Sequence, residues 1–106
     1  MPQSSALWIN WGDMLIGRVT GNIAATIKHP VYKSQKLLTV AILTPQQEPT
    51  GEAVVAIDAV EAGVGDLVLI TQEGRSAMAV VGQTEVPVRT VIVAIIDRIE
   101  FDPQKY

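Results

Sequence analysis

The stretch EAVVAIDAVEAGVGDLVLI, Glu52–Ile70, decides the fold that we expect of this chain. It contains two short apolar runs, Val54–Ile57 and Leu67–Ile70, whose branched side chains favour strands over helices. The segment that joins the runs is acidic and is punctuated by Gly63 and Gly65. The pattern predicts two buried strands arranged as a hairpin-like pair.

The joining segment is predicted to be a tight exposed loop. At least one of Gly63 and Gly65 is expected to adopt a positive φ or a close backbone approach that a β-carbon would obstruct. Asp58 and Asp66 are expected to accept hydrogen bonds from backbone amides, as aspartate commonly does in turns. The glycines lead into a strand, whereas phosphate-binding glycine loops lead into a helix N-terminus, which argues against a dinucleotide site.

Length and composition predict one small β-rich domain. The chain has 106 residues, of which 48% are hydrophobic but only 5% aromatic, so its core must consist of aliphatic side chains. A domain of this size gains useful burial from oligomerisation. The net charge of -3 gives no electrostatic reason to bind nucleic acid.

The absence of cysteine excludes disulfides, thiolate chemistry and cysteine zinc sites. It fits a cytoplasmic protein. The longest apolar run, Val91–Ile96, is far too short to span a bilayer, so no membrane partner is expected.

The rest of the chain supplies further strands. Leu15–Ile23 alternates with period two and predicts a half-buried strand, and Leu37–Thr44 predicts a strand that forms a hairpin with the first apolar run. Gly74–Gly82 is bracketed by glycines and predicts a short helix or wide turn. The closing strand, Val88–Ile99, contains Val91–Ile96, which is apolar on both faces and is therefore expected to be central or covered by another subunit.

These elements predict a mainly β fold, a small five-stranded closed barrel like the oligonucleotide-binding fold, with one short helix or helical turn. The barrel domain is expected to span residues 14–100. A flexible N-terminal extension, residues 1–13, and a polar C-terminal tail, residues 101–106, are expected to flank it. Because the extension holds Trp8 and Trp11, a docking segment is the alternative to a flexible one.

A basic loop, KHPVYKSQK, follows the first strand. Lys28, Lys33 and Lys36 give it a cationic surface, and Tyr32 lies among them. Single-strand nucleic-acid binding needs several aromatic stacking residues beside a basic groove, and one is too few. The loop is expected to be a solvated rim or a contact to an acidic neighbour.

No enzyme is predicted. The candidates for acid–base or nucleophilic chemistry are Asp58, Asp66, Glu61, Ser76 and His29, and no pattern in the sequence assembles them into a pair or triad. A lone histidine before a proline is more often a solvated loop residue than a metal ligand. We therefore expect no cofactor and no metal.

Five segments in order carry a resemblance to a known family: MLIGRVTGNIAATIKHP at Met14–Pro30, QKLLTVAI at Gln35–Ile42, VAIDAVEAGVGDLVLI at Val55–Ile70, GRSAM at Gly74–Met78 and PVRTVIVAIIDRIE at Pro87–Glu100. They resemble the EutN/CcmL family, the pentameric vertex proteins of bacterial microcompartment shells such as carboxysomes. The third segment is the most specific.

The chain departs from the family pattern at four positions. Glu61 stands where the family usually has glycine, Arg75 where it has serine, Met78 where it has arginine, and Arg89 where it has aspartate. These positions bear on subunit contacts rather than on the fold.

The resemblance implies a five-stranded barrel that assembles as a cyclic homopentamer, without catalysis, and caps the vertices where layers of hexameric shell proteins close. Lys28, Lys33 and Lys36 are candidates for contacts at the rim of the pentamer. The alternative function is a small binding module for single-stranded nucleic acid or another ligand. The family-signature loop and subunit interface are expected to involve Asp58, Gly63, Gly65, Asp66, Gly74, Ser76 and Ala77.

Overall fold

The computed structural model describes residues 14–32 and 34–97, apart from the side chains of residues 73–75. This part of the chain is mainly β, as predicted, and contains no helix. The six strands are β1 (Met14–Ile23), β2 (Thr26–Lys28), β3 (Lys36–Leu43), β4 (Pro49–Asp58), β5 (Leu67–Val81) and β6 (Thr84–Ile95). Residues 1–13 and the tail after residue 97 lie outside the described residues.

Five of the strands close into a barrel. The sheet order is β1-β3-β4-β6-β5-β2, and an additional pairing of β1 with β5 joins the two sides. Closure leaves the short strand β2 outside the ring, paired to the second half of β5. The predicted five-stranded closed barrel is therefore confirmed. Within these residues no helix is long and apolar enough to cross a membrane.

The predicted hairpin of the second strand with the first apolar run is confirmed. β3 and β4 pair antiparallel, with Leu38 opposite Ala56. The two apolar runs of Glu52–Ile70 are both strands, but they do not pair with each other. The prediction that they form a hairpin-like pair is therefore wrong. β6 lies between them, parallel to β4 over Ala56–Asp58 and antiparallel to β5. The loop between the runs is long enough to pass the intervening strand β6, so the two runs need not form a tight hairpin.

The short helix or wide turn predicted over Gly74–Gly82 is also wrong. β5 continues to Val81 and pairs with β6 as far as Thr84. Cross-strand pairing outweighs the weak local preference of a segment rich in serine, alanine and methionine. The chain turns only at Gly82, whose φ is +64°.

The core has an inner and an outer part, because successive side chains of a strand point to opposite faces. Leu38 and Ala56 face the barrel interior, whereas their neighbours Leu37 and Ile57 face outward. The outer residues are covered by β2 and the second half of β5. The interior contains Leu15, Val19, Leu38, Val40, Ile42, Ala56, Ala62, Val68, Ile70 and Ile92. The outer cluster contains Ile27, Leu37, Ile57, Ala77, Ala79, Val88 and Val91.

The first strand packs closely against β3. A β-carbon on Gly17 would lie 2.3 Å from Val40 Cγ1 and 2.9 Å from the Ala41 carbonyl oxygen, so only glycine fits there. Farther along β1, Thr20 and Asn22 are exposed, as expected of a half-buried strand. The alternation predicted from the sequence is confirmed.

Candidate functional site

The signature segment folds as a loop, residues 59–66, which we call the β4–β5 loop. Asp58, the last residue of β4, fixes its first half: Oδ1 accepts hydrogen bonds from the amides of Val60 at 3.1 Å and Ala62 at 3.0 Å. Only 1% of Asp58 is exposed. Its predicted role in bracing the loop is confirmed.

The second carboxylate oxygen of Asp58 has an ionic partner. Oδ2 is buried and accepts no hydrogen bond from the described residues, but the ammonium of Lys36 lies 3.7 Å away. The same ammonium donates to the Ala62 carbonyl at 3.3 Å. An unpaired buried carboxylate would be costly, so Lys36 at the start of β3 compensates the charge that braces the loop.

The second half of the loop is fixed to β1. Asp66 Oδ2 accepts from the amide of Gly63 at 2.8 Å, as predicted for a turn aspartate. The amide of Gly65 donates to the Val19 carbonyl at 2.8 Å, and the Val19 amide donates to the Asp66 carbonyl at 3.0 Å. Gly65 has a φ of +96°, which confirms that one of the two glycines adopts a positive φ.

Arg18 connects this loop to the turn between β3 and β4. Its Nη1 donates to the Gly65 carbonyl at 2.9 Å, and its Nη2 donates to Gln47 Oε1 at 3.4 Å. Sequence reasoning missed Arg18. Its position on the polar face of β1 was the available signal, but nothing local identifies a partner as distant in sequence as Gly65.

The loop has one strained position and one exposed apolar tip. Glu61 adopts a φ of +60°, a conformation that favours glycine. The family pattern usually has glycine at this position. Val64 is 67% exposed between its two glycine neighbours. The loop is thus rigidly held at both ends and presents a small apolar side chain to solvent.

The remaining interface candidates lie in β5. Gly74, Ser76 and Ala77 all belong to the strand that follows the loop. Ser76 is exposed, whereas Ala77 is buried in the outer cluster. The structure does not bring Ala77 into the surface of the loop, because its side chain packs under β2.

Two of the three rim candidates have partners within the chain. Lys28 Nζ lies 3.0 Å from Glu85 Oε2, and Lys36 contacts the β4–β5 loop as described above. Lys33 lies outside the described residues. Tyr32 is half-buried against the outer cluster, and its ring lies 4.9 Å from that of His29. Tyr32 is therefore not a fully exposed stacking residue of the kind that binds single-stranded nucleic acid.

Three of the five candidate catalytic groups, His29, Asp58 and Asp66, have structural partners. His29 Nδ1 accepts a hydrogen bond from the Val31 amide at 3.1 Å, which helps to form the turn after β2. Asp58 and Asp66 both accept from loop amides. Across residues 14–32 and 34–97, no group of three or more histidine, aspartate or glutamate side chains is placed to hold a metal ion.

The loop, the barrel and their sequence match one protein family. The family model described as "Ethanolamine utilisation protein EutN/carboxysome" matches residues 14–97. The chain is 35% identical to the shell vertex protein EutN of Escherichia coli K12 over 81% of this chain and 90% of the relative. It is 34% identical to the carboxysome shell vertex protein CcmL of Gloeobacter violaceus, over 84% and 88%.

A solved relative extends the match to three dimensions. The structure of GrpN, a pentameric microcompartment shell protein from Rhodospirillum rubrum, superposes with a TM-score of 0.62 at 31% identity. The superposition covers 82% of this chain and 99% of GrpN. The fold and the signature loop define a small closed-barrel shell protein, and the chain belongs to the EutN/CcmL family.

Proposed function

We propose that this chain is a vertex protein of a bacterial microcompartment shell and that it assembles as a cyclic homopentamer. The observation that carries the proposal is the family match over residues 14–97, the whole described barrel. Relatives of similar sequence are named shell vertex proteins, and the solved relative GrpN is pentameric. A layer of hexamers closes into a polyhedron only at pentagonal positions, so a pentamer of this family has a geometric role.

The contacts around the β4–β5 loop favour a structural role over a catalytic one. The carboxylates of Asp58 and Asp66 accept hydrogen bonds from backbone amides of the β4–β5 loop, and Asp58 also pairs with Lys36. Catalytic groups need an open position for a reacting atom, whereas Asp58 is fully enclosed. We propose that the chain acts by shape, without catalysis and without nucleic-acid or membrane partners.

The ring would use two different surfaces of each subunit, because cyclic closure of five copies makes the contact heterologous. The proposed interface includes Gly63, Gly65 and Ser76, which are exposed. The bracing by Asp58 and Asp66 would present the loop to the next copy in one fixed conformation, which lowers the entropy lost on assembly.

The basic loop remains a proposed contact to the surrounding hexamers. Lys33 is the lysine to test, because Lys36→Glu would place a second carboxylate beside buried Asp58 and disturb the subunit itself. Lys28→Gln is the matched control, since it removes a positive charge that already pairs with Glu85 and is worth little on an exposed surface.

Co-expression with the hexameric shell proteins of its own compartment tests the function. The chain is expected to co-purify with closed shells and to occupy their vertices in electron-microscopy reconstructions, and shells made without it are expected to lack caps. Lys33→Gln, which removes one positive charge as the control does, is expected to enter shells less efficiently than Lys28→Gln. Equal incorporation of both variants would contradict the rim contact, and absence of the chain from closed shells would contradict the function.

A further inference from the structure

The end of β6 is an open strand edge with exposed apolar side chains. β4 pairs with β6 only from Thr90 to Ile92, opposite Ala56–Asp58, and then leaves the sheet for the β4–β5 loop. The pairing with β5 shifts register at the same place, so that Val93 is an extra residue opposite Leu69 and Ile70. Such a bulge commonly marks the point where a strand loses a partner.

The side chains beyond this point are unusually exposed for their type. Val93 is 39% and Ile95 43% exposed, whereas Val91 and Ile92, immediately before the bulge, are buried. Next to these exposed side chains is a row of backbone groups that has no β4 partner. Together they form an apolar strand edge, Val93–Ile95.

Two other strand edges in the described part of the chain are protected. The first half of β4, which β6 does not pair, contains Pro49 and Glu52. β2 is only three residues long and ends in Lys28, which pairs with Glu85. Proline and charge are among the usual devices that stop strand edges from associating, and Val93–Ile95, although as short as β2, contains neither.

We infer that Val93–Ile95 forms the apolar part of the surface that one copy of this chain presents to the next copy in the ring. The inference rests on the proposed pentamer and names one of its two contact surfaces. A second copy is the occupant because the pentameric relative GrpN superposes on 82% of this chain, and a ring of identical barrels must cover a surface on every copy. Apolar side chains beside open backbone groups suit that contact, since strand addition combines hydrogen bonding with side-chain burial.

Charge substitutions at the edge test the inference in the full-length protein. Val93→Glu and Ile95→Glu are expected to place a carboxylate in a dry contact and to raise the concentration at which the pentamer dissociates by about 100-fold or more. Val31→Glu is the control, because Val31 is 69% exposed in the turn after β2 and lies outside the proposed contact. Native mass spectrometry across a dilution series gives the oligomer, and far-UV circular dichroism shows that each variant is folded.

The outcomes separate the inference from the proposed function. A pentameric parent with folded, dissociated edge variants and a pentameric Val31→Glu supports the inference. If the parent is pentameric and the edge variants remain pentameric, the inference is overturned and the proposed function stands. In that case, a lowered melting temperature of the edge variants would mean that the chain's own termini cover the edge. A parent that is not pentameric contradicts the proposed function. If Val93→Glu does not fold, Val93→Thr keeps the shape and is expected to weaken the pentamer about tenfold; no change would overturn the inference.

Discussion

Gly65 combines a positive φ with open space around its α-carbon. Its φ is +96°, and a β-carbon there would meet no atom within 4 Å, so a substitution would strain the backbone without creating a clash. Gly65→Ala is expected to destabilise the protein by about 1–3 kcal/mol, and Gly65→Val by more because its side chain is branched. Chemical denaturation at fixed protein concentration measures the effect.

Gly63 provides the matched control for this prediction. A β-carbon there would lie 3.9 Å from Asp66 Oδ2, an ordinary contact, and Gly63 is not among the residues with positive φ. Gly63→Ala is therefore expected to change stability by less than about 0.5 kcal/mol. Equal effects at Gly63 and Gly65 would show that the loop is not constrained at Gly65.

Glu61 is strained where glycine would be relaxed. The left-handed conformation lowers the stability of the folded state by about 1–2 kcal/mol for an L-residue. Glycine avoids this strain but lowers stability by about 0.4–1 kcal/mol, because it has more conformational freedom in the unfolded chain. With a φ of +60° at Glu61, Glu61→Gly is expected to stabilise the protein by up to about 1 kcal/mol. Glu61→Ala keeps the strain and is the control. A stabilised alanine variant with an unchanged glycine variant would refute the strain argument.

At the residue scale, the sequence predicts roles that depend on neighbours in the chain. The positive φ at Gly65 and the capping by Asp58 and Asp66 follow from residue chemistry within one loop. The contact of Arg18 with Gly65 could not be predicted, since those residues are 47 positions apart and meet only because the barrel closes. The family resemblance identified Glu61 as a departure from the usual glycine, but only the backbone conformation shows that the residue is strained there.

The β4–β5 loop and β3 are coupled through the pair of Asp58 with Lys36. Lys36→Met removes the cation that lies 3.7 Å from the buried carboxylate and is expected to destabilise the protein by about 1–3 kcal/mol. In an Asp58→Asn background, Oδ1 still braces the loop but no charge is buried, so the same lysine substitution should cost little. The two unfolding free energies give the coupling between the residues. Equal costs in both backgrounds would contradict the ionic role.

At the scale of elements, strand existence was predictable and strand pairing was less so. Alternation and branched side chains predicted β1, β3, β4 and β6, and the β3–β4 hairpin follows from a short connection. The parallel pairing of β4 with β6 is not encoded by any local turn. The second half of β5 appears helix-permissive in isolation, and its alanines become strand residues because β2 and β6 pair on either side of it.

At the scale of the whole molecule, closure of the barrel leaves an aliphatic domain with an apolar edge at Val93–Ile95. An apolar closing strand was visible in the sequence and predicted a central or covered position. The structure confirms a central position for Val91 and Ile92, which are buried between β4 and β5, whereas Val93 is exposed and its coverage by another subunit stays a prediction.

The extension before the barrel gives a further prediction at this scale. Deleting residues 1–13 is expected to leave the fold and the oligomer unchanged, because the family match begins at Met14 and no period-two pattern precedes it. Trp8 and Trp11 are the only tryptophans in the chain. Their fluorescence in the full-length protein should resemble that of solvated indole, and a blue-shifted emission would indicate docking of the extension instead.

The mass of the native oligomer tests the central claim most directly. Native mass spectrometry of the full-length chain at low micromolar concentration is expected to show one dominant species at five times the subunit mass of 11.4 kDa. A heterologous contact repeated around a closed ring should give few intermediates. A spectrum dominated by monomer or dimer at that concentration would contradict the assignment of this chain as a pentameric vertex protein.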